Sequence, residues 1–460
     1  MRTTMTIRPP AENRSIPNQT CESLNSRLPT IVISSRWAVT AIAGTLVVAL
    51  VLGIGLLDHE HYNDENFYNR LIRYYAGQNS LTPLHDSANQ PIALGPTFFL
   101  AHRLWSGIFG AGDFQARAFS LALMLGASAF WTSIAIRLYR DTPASLIAAF
   151  WILPFHAVFA ICSLAEPFML AFLLASVRLW MSAVDRIADS SDKSAPLRFC
   201  LSGLLFGIAI NCKVPLLPIA AAMILFGAFR IRNIWSVIGP LIAICTQIPF
   251  WITWGNVFPP GQRLGMMPQF AHMSGLYADS SIHLLTVCGT VIWPAFRFDR
   301  KSPSAWVTLV AGVALWFALG PQLAPSDESR YRFAGPVLQA SYISPVFRWA
   351  LILPFLAAWH ILFDCVRHVR RNDIEPFRQL FMAAAALSLV AFVRSPLGFD
   401  RYVTCFLPLW WISLWPEIRR YPVAMGLSFV PLTIQAGLLI EKVMSMELVF
   451  GSPLPHLAGF

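Results

Sequence analysis

This chain has little charge. Only 13% of its 460 residues are Asp, Glu, Lys or Arg, about half of what a soluble globular domain carries. That shortage excludes an ordinary water-soluble globule. The eight cysteines are scattered singly, several inside apolar runs (Cys162, Cys200, Cys245, Cys288), and no C-x-x-C pair occurs. Neither a disulfide framework nor a zinc site is supported. The ten histidines show no i, i+4 pairing around an acid, so no helical metal pair stands out either. The first 36 residues lack an apolar core of their own. Rich in Pro, Ser and Asn, with five arginines, they read as a disordered cytoplasmic tail rather than a signal peptide.

Apolar residues take up the difference. Hydrophobic residues make up 56% of the chain and the mean hydropathy is +0.56. They gather in runs of roughly 16–23 residues, the length that crosses a ~30 Å hydrocarbon core as a helix. The expected fold is an all-α polytopic membrane protein. Its 33 prolines and 26 glycines do not oppose this, because neighbouring helices satisfy the backbone groups that such residues free.

The formal charge of +10 could suggest nucleic acid, but the basic residues are dispersed among short loops. They serve better as a topology signal, and no nucleic acid is expected as a partner. A first span at 37–57 with the tail inside puts 58–116 outside. This first outer loop contains two apolar pieces, "NFYNRLIRYYAG" and "LGPTFFLAHRLWSGIFG". The first has aromatics at helical spacing with arginines opposite, and the second carries His102 and Arg103 near its middle. Both are expected as interfacial helices. The later runs, from 117–139 to 421–440, then alternate in direction and bring the count to about thirteen. In this arrangement most of the 34 Lys and Arg fall on the inner side, as the positive-inside rule requires. The organisation is a tail (1–36), a transmembrane domain (37–440) and a short outer tail (441–460).

That topology gathers a set of polar residues at the outer face. Asp64 and Glu65 stand side by side in "HYNDENFYNR". Arg117 opens the second span, Glu166 lies in the tight turn "ICSLAEPFML", and Lys213 follows the fifth span in "INCKVPLLP". Arg394 and Arg401 bracket "SPLGFD", and two longer loops, 255–280 and 324–345, add His272, Asp279 and "SDESRYR". Charges at helix ends are commonly just solvated, which is the plain reading of Arg394 and most of "SDESRYR"; Arg117 could equally be an interfacial anchor. Glu166 and Lys213 are different. Each sits in an apolar stretch with almost no loop, where an ionised side chain costs roughly 2.5–3.5 kcal/mol unless paired or wet. Together they imply a polar cavity cut into the outer leaflet. Cations there would hold a phosphate, and a carboxylate would take a proton from an attacking hydroxyl. That chemistry suits sugar transfer from a polyprenyl phosphate.

"DENFY" (Asp64 to Tyr68) resembles the D-E-x-x-Y motif in the first outer loop of GT-C glycosyltransferases. The likeness is to the protein O-mannosyltransferase and aminoarabinose-transferase branch (glycosyltransferase family 39-like). The Pro-containing run "QPIALGPTFFLAHRLWSGIFGAGDFQARAFSLAL", "AEPFMLAFLLASV", "NCKVPLLPI" and "RYVTCFLPLWW" follow in the family's order over most of 37–420. Two departures stand out. The family's histidine-proline-proline stretch is reduced to Gln90-Pro91, and no glycine follows Lys213. The resemblance implies a GT-C-like fold and an inverting, single-displacement glycosyltransferase that uses a polyprenyl-phosphate-linked sugar. Asp64 and Glu65 would be the catalytic carboxylates, with Asp64 the base. Lys213, Arg117 and Arg401 would bind the donor phosphate, and Glu166, Tyr68 and His61 would position the acceptor or a cation. Asp64 and Glu65 are the candidates for a divalent cation, although no residue pattern calls for one. The setting would be a bacterial inner membrane, with membrane lipids as surroundings and a lipid, glycan or protein as acceptor.

Two other functions compete. A transporter or lipid flippase would place charges near mid-membrane and repeat across its halves, and no repeat is found. A polysaccharide polymerase or ligase would concentrate its key residues in a large late outer loop, whereas here the early loop carries the acids.

Overall fold

The computed structural model describes residues 35–58, 65–77, 95–139, 142–187, 193–255, 257, 278–319, 349–369, 374–393 and 400–444. Among them the regular structure is entirely helical. After α1 (Ser35–Gly53) come α2 (Glu65–Gly77) and α3 (Pro96–Phe109). Then follow α4 (Asp113–Leu138), α5 (Ala144–Ile152), α6 (His156–Ile161), α7 (Ala165–Ile187) and α8 (Ala195–Cys212). The second half holds α9 (Leu217–Phe226), α10 (Ile234–Cys245), α11 (Ile248–Trp254), α12 (Ala278–Ile292) and α13 (Pro303–Leu319). It continues with α14 (Ile352–Val369), α15 (Pro376–Phe392), α16 (Leu407–Ser413), α17 (Trp415–Ile418) and α18 (Pro422–Met444).

Helical structure occupies each position where a span was expected. Among the described residues six helices are long and apolar enough to cross a membrane: Asp113–Leu138, Ala165–Ile187, Ala195–Cys212, Val214–Ile231, Ile234–Trp254 and Ile352–Val369. Shorter apolar helices accompany them. This is an all-helical, polytopic membrane protein. Proline sets many of the helix starts, because its fixed φ suits the first turn and its missing N–H is not needed there. Examples are Pro96 of α3, Pro218 of α9 and Pro376 of α15. Between α5 and α6 the chain breaks at Pro154, and Phe155 takes a left-handed φ of 68°. This break splits one expected span into two short helices.

α7 packs between α4 and α8, and α8 lies against α10. The α8–α10 contact is close because it is made by small residues. A Cβ added to Gly203 would lie 2.2 Å from the Gly239 carbonyl oxygen. Such small-residue contacts drive helix association where lipid removes the hydrophobic incentive. In the second half α12 packs on α14, α14 on α15, and α15 meets α9 and α16. Trp180 of α7 bridges the two groups, with its ring against Phe199, Phe226 and Phe377.

Two ends can be told apart. One holds the start of α4, the start of α7 and the end of α8. At the other, Arg137 holds Asp185 through bonds of 2.6 and 2.5 Å. There Arg378 also holds Glu417 at 2.8 Å and gives its Nε–H to the Ser413 carbonyl at 2.7 Å. The twenty residue steps from Arg117 to Arg137 span about 30 Å along α4 at 1.5 Å per residue, which is the thickness of a hydrocarbon core.

α3 has 14 residues, so it is about 21 Å long and too short to cross. Its Leu104, Ile108 and Phe109 are exposed, as suits a helix resting in lipid. His102 is not a surface charge. It is wholly buried between the rings of Phe98 and Phe119, and burial pushes its imidazole pKa down to about 3. The ring is neutral at any physiological pH.

Candidate active site

Four described residues are both buried and formally charged: Glu65, Arg117, Glu166 and Lys213. All lie at one end of the bundle. They form two ion pairs, one on each side of the turn that joins α6 to α7.

Glu65 opens α2, where the N-terminal dipole favours a negative charge. Its carboxylate takes the side-on fork of Arg117, with Nε–H to Oε1 at 2.8 Å and Nη2–H to Oε2 at 3.2 Å. Arg117 also donates from Nη1 to the Leu57 carbonyl at 2.9 Å, which ties in the segment following α1. Ser163 completes the clamp. Its backbone N–H and its hydroxyl both donate to Glu65 Oε1, at 2.8 and 3.1 Å, and the hydroxyl also contacts Asn69 Oδ1. Asn69, one turn on from Glu65, donates to Asp113 at 3.0 Å, and Asp113 is paired with Arg73. Glu65, Asn69 and Arg73 thus form an i, i+4, i+8 polar stripe along α2, and Tyr68, Leu71 and Ile72 form its buried apolar face.

The second pair is Glu166 and Lys213, at 2.8 Å. Glu166 lies in the first turn of α7. Lys213 stands where α8 ends in extended backbone (φ −140°, ψ 98°) ahead of Pro215. Its ammonium sits 5.7 Å from the centre of the Tyr402 ring, a favourable cation–π position. Tyr402 in turn stacks on Phe392. The two pairs share one neighbourhood, because Cys162 lies in the electrostatic field of Glu65, Arg117 and Glu166 together. The residues 162–166 therefore join the two halves of the site.

α3 is pinned beside Lys213. The Gly95 N–H donates to the Asn211 carbonyl at 3.1 Å, and the Thr97 N–H to Asn211 Oδ1 at 3.1 Å. Any side chain at position 95 would collide with this contact, since a Cβ there would lie 2.1 Å from the Asn211 carbonyl oxygen. Gly95→Ala should therefore loosen α3 from α8, at about 1–3 kcal/mol for an overpacked site. Limited proteolysis of the 77–110 region should show faster cleavage, and a wild-type pattern would show that Asn211 can give way.

The residues singled out from sequence are placed as follows. Glu65, Arg117, Glu166 and Lys213 come together. Tyr68 is buried with its ring edge-on to Phe98, so it packs α2 against α3. Arg401 belongs to the same 3-10 segment as Tyr402 (Asp400–Cys405). His61, Asp64, Arg394 and His272 lie outside the described residues, as does 324–345; Asp64 immediately precedes Glu65. Sequence reasoning did not find Ser163, Asn69, Asp113, Asn211 or Tyr402. Ser163, only three positions before Glu166 in an otherwise apolar turn, was the one of these with a readable signal. Among the described residues no group of three or more His, Cys, Asp or Glu gathers as a metal site. Glu65 and Glu166 each face a cation.

No protein-family model matches this chain, and no curated protein matches it. Among solved structures it is similar to ArnT from Cupriavidus metallidurans in the apo state, with 15% identity, 82% of this chain and 78% of that one covered, and a TM-score of 0.37. It is likewise similar to ArnT from the same organism bound to undecaprenyl phosphate, with 15% identity, 87% and 80% covered, and a TM-score of 0.39. A further likeness is to the Archaeoglobus fulgidus oligosaccharyltransferase tethered with an acceptor peptide (13% identity, 82% and 55% covered, TM-score 0.32). At these identities the likeness is one of chain path alone.

Proposed function

We propose that this protein is an integral-membrane glycosyltransferase that moves a sugar from a polyprenyl-phosphate donor to an acceptor hydroxyl at the outer face. The observation that carries this reading is the meeting of two buried acid–cation pairs on the 162–166 turn, one of them made by Glu65, the residue that follows Asp64 in the D-E-x-x-Y motif. Asp64 would take the proton of the acceptor hydroxyl as its oxygen bonds to the anomeric carbon. The bond from that carbon to the phosphate oxygen breaks in the same displacement, which inverts the centre. The lipid phosphate departs with the negative charge, and Lys213 and Arg401 stabilise it there.

The geometry refines the roles assigned from sequence. Glu65, first counted as catalytic, would act as an anchor that holds the start of α2. Arg117, first counted among the phosphate ligands, would act as Glu65's counter-ion. Lys213 keeps the donor phosphate, because an ammonium has three N–H donors and can serve Glu166 and a phosphate oxygen together. Glu166 would fix Lys213 in place. The four buried charges lie at one end rather than at mid-depth, which favours this reading over a transporter. The loops with Arg137, Arg378, Arg419 and Arg420 lie at the opposite end, which supports placing the site at the outer face.

The test is to reconstitute the protein with a polyprenyl-phosphate-linked pentose or hexose and measure release of free polyprenyl phosphate by mass spectrometry. Surface lipids and glycans would be compared with and without the gene. Loss of one sugar modification together with turnover in vitro is the expected result, and no release with any such donor would overturn the reading. Lys213→Ala should weaken donor binding by about tenfold to a hundredfold, as expected for a charge-assisted hydrogen bond of ~1.5–3 kcal/mol. The companion Lys213→Ala/Glu166→Gln protein, which leaves no lone buried carboxylate, should show the same affinity loss while folding normally. An unchanged donor Kd in both would remove Lys213 from the phosphate site.

A further inference from the structure

We propose that the end of the bundle opposite the two ion pairs carries a second site, one that binds the phosphate headgroup of an anionic phospholipid. Arg297 is its centre. This half-buried residue follows the 3-10 turn Trp293–Ala295, and its guanidinium lies 5.8 Å from the centre of the Tyr421 ring. Its Nε and Nη2 are sealed from solvent and have no hydrogen-bond partner among the described residues. These two nitrogens form the same side-on fork through which Arg117 holds Glu65, the geometry that matches a carboxylate or a phosphate. Trp415 adds a second donor. It is buried, its indole N–H also lacks an acceptor among the described residues, and its short helix α17 packs against Trp293–Ala295.

The surroundings of this fork are basic. Arg300 and Lys301 from one loop and Arg419 and Arg420 from the other are exposed at the same end. Among the described residues the neighbouring acids each have a partner. Asp299 accepts the Lys301 N–H at 3.0 Å, Glu417 is held by Arg378 at 2.8 Å, and Asp364 is shared by His360 and Arg367 at 3.5 and 3.4 Å. An anion with several acceptor oxygens would satisfy the donors of this cluster.

The tail of the ligand is read from what borders the cluster. Tyr421, Val423 and Leu427 on one side, and Trp306, Val307 and Val310 on the other, are exposed apolar residues that continue from the basic loops along α18 and α13. Phe298, next to Arg297, packs edge-on to Trp306 and joins the basic loop to that apolar face. Basic residues bordering a lipid-facing apolar surface fit a molecule with an anionic head and acyl chains, and each basic residue near the bilayer surface adds to that attraction.

The test is native mass spectrometry of the detergent-purified full chain with phosphatidylglycerol, phosphatidylcholine or inorganic phosphate. Phosphatidylglycerol should remain bound and phosphatidylcholine should not. Arg297→Gln should weaken phosphatidylglycerol retention about tenfold. Should that variant fold poorly, Arg419→Gln/Arg420→Gln, which alters only exposed side chains, should weaken it several-fold and reduce its salt dependence. Equal retention of the two lipids, or unchanged retention in every variant that folds, would overturn the proposal. Displacement of the lipid by millimolar inorganic phosphate would also overturn it, by showing a soluble-anion site instead. None of these readouts depends on sugar transfer.

Discussion

Asp64→Asn should lower sugar transfer by at least 10²–10⁴-fold, the usual contribution of a general base, while the protein stays folded and inserted. The substitution keeps the shape of the side chain and removes its charge and basicity. Only this residue of the acidic pair should behave so. Glu65, its neighbour, is wholly buried and accepts hydrogen bonds from Arg117 and Ser163, so its loss should appear in stability before it appears in chemistry. Turnover and thermal unfolding measured side by side on Asp64→Asn and Glu65→Gln separate the two roles. Wild-type turnover in Asp64→Asn would remove that residue from the mechanism.

Arg117→Ala should destabilise the protein by about 3–5 kcal/mol, because it strands the Glu65 carboxylate without a counter-charge in a buried setting. Glu65→Ala should do the same by stranding the guanidinium. The instructive variant is the pair Glu65→Leu/Arg117→Met. Replacing a buried ion pair with apolar residues of similar volume is often neutral or better, so the pair should recover most of the lost stability. It should not recover turnover, because the start of α2 would lose its polar tether to Ser163. Fluorescence-detected size exclusion after heating, with the single and double variants in parallel, measures the first effect. If Arg117→Ala were as stable as the wild type and instead bound donor poorly, Arg117 would return to the phosphate site suggested by its sequence position.

Glu166 and Lys213 show how much of the site was legible in the sequence. Each is a charge within an apolar stretch with hardly any loop around it, and such a charge has to be paired or wet. Their pairing at 2.8 Å is the outcome that this penalty requires. Arg117 was less legible. As the opening residue of a span it could have served a ligand, a lipid headgroup or another residue, and nothing near it in sequence decides among these. The structure brings it to Glu65, 52 positions away. Asn211 and Tyr402 were not legible at all, since an asparagine or a tyrosine near a helix end is ordinary until its partner is known, and Ser163 offered only its closeness to Glu166 in an apolar turn. His102 misled in a useful way. It argued against a span through α3, yet the ring is neutral and enclosed by aromatics rather than facing water.

The sequence alone determined that this chain lives in a membrane as a bundle of helices, because apolar length and scarce charge leave no other way to satisfy the backbone. It also determined which acidic and basic residues could not be left alone. Only the tertiary structure decided who partners whom, because a counter-ion is chosen by which helices lie side by side, and that choice is made by side-chain packing summed over the whole bundle rather than by any local run of residues.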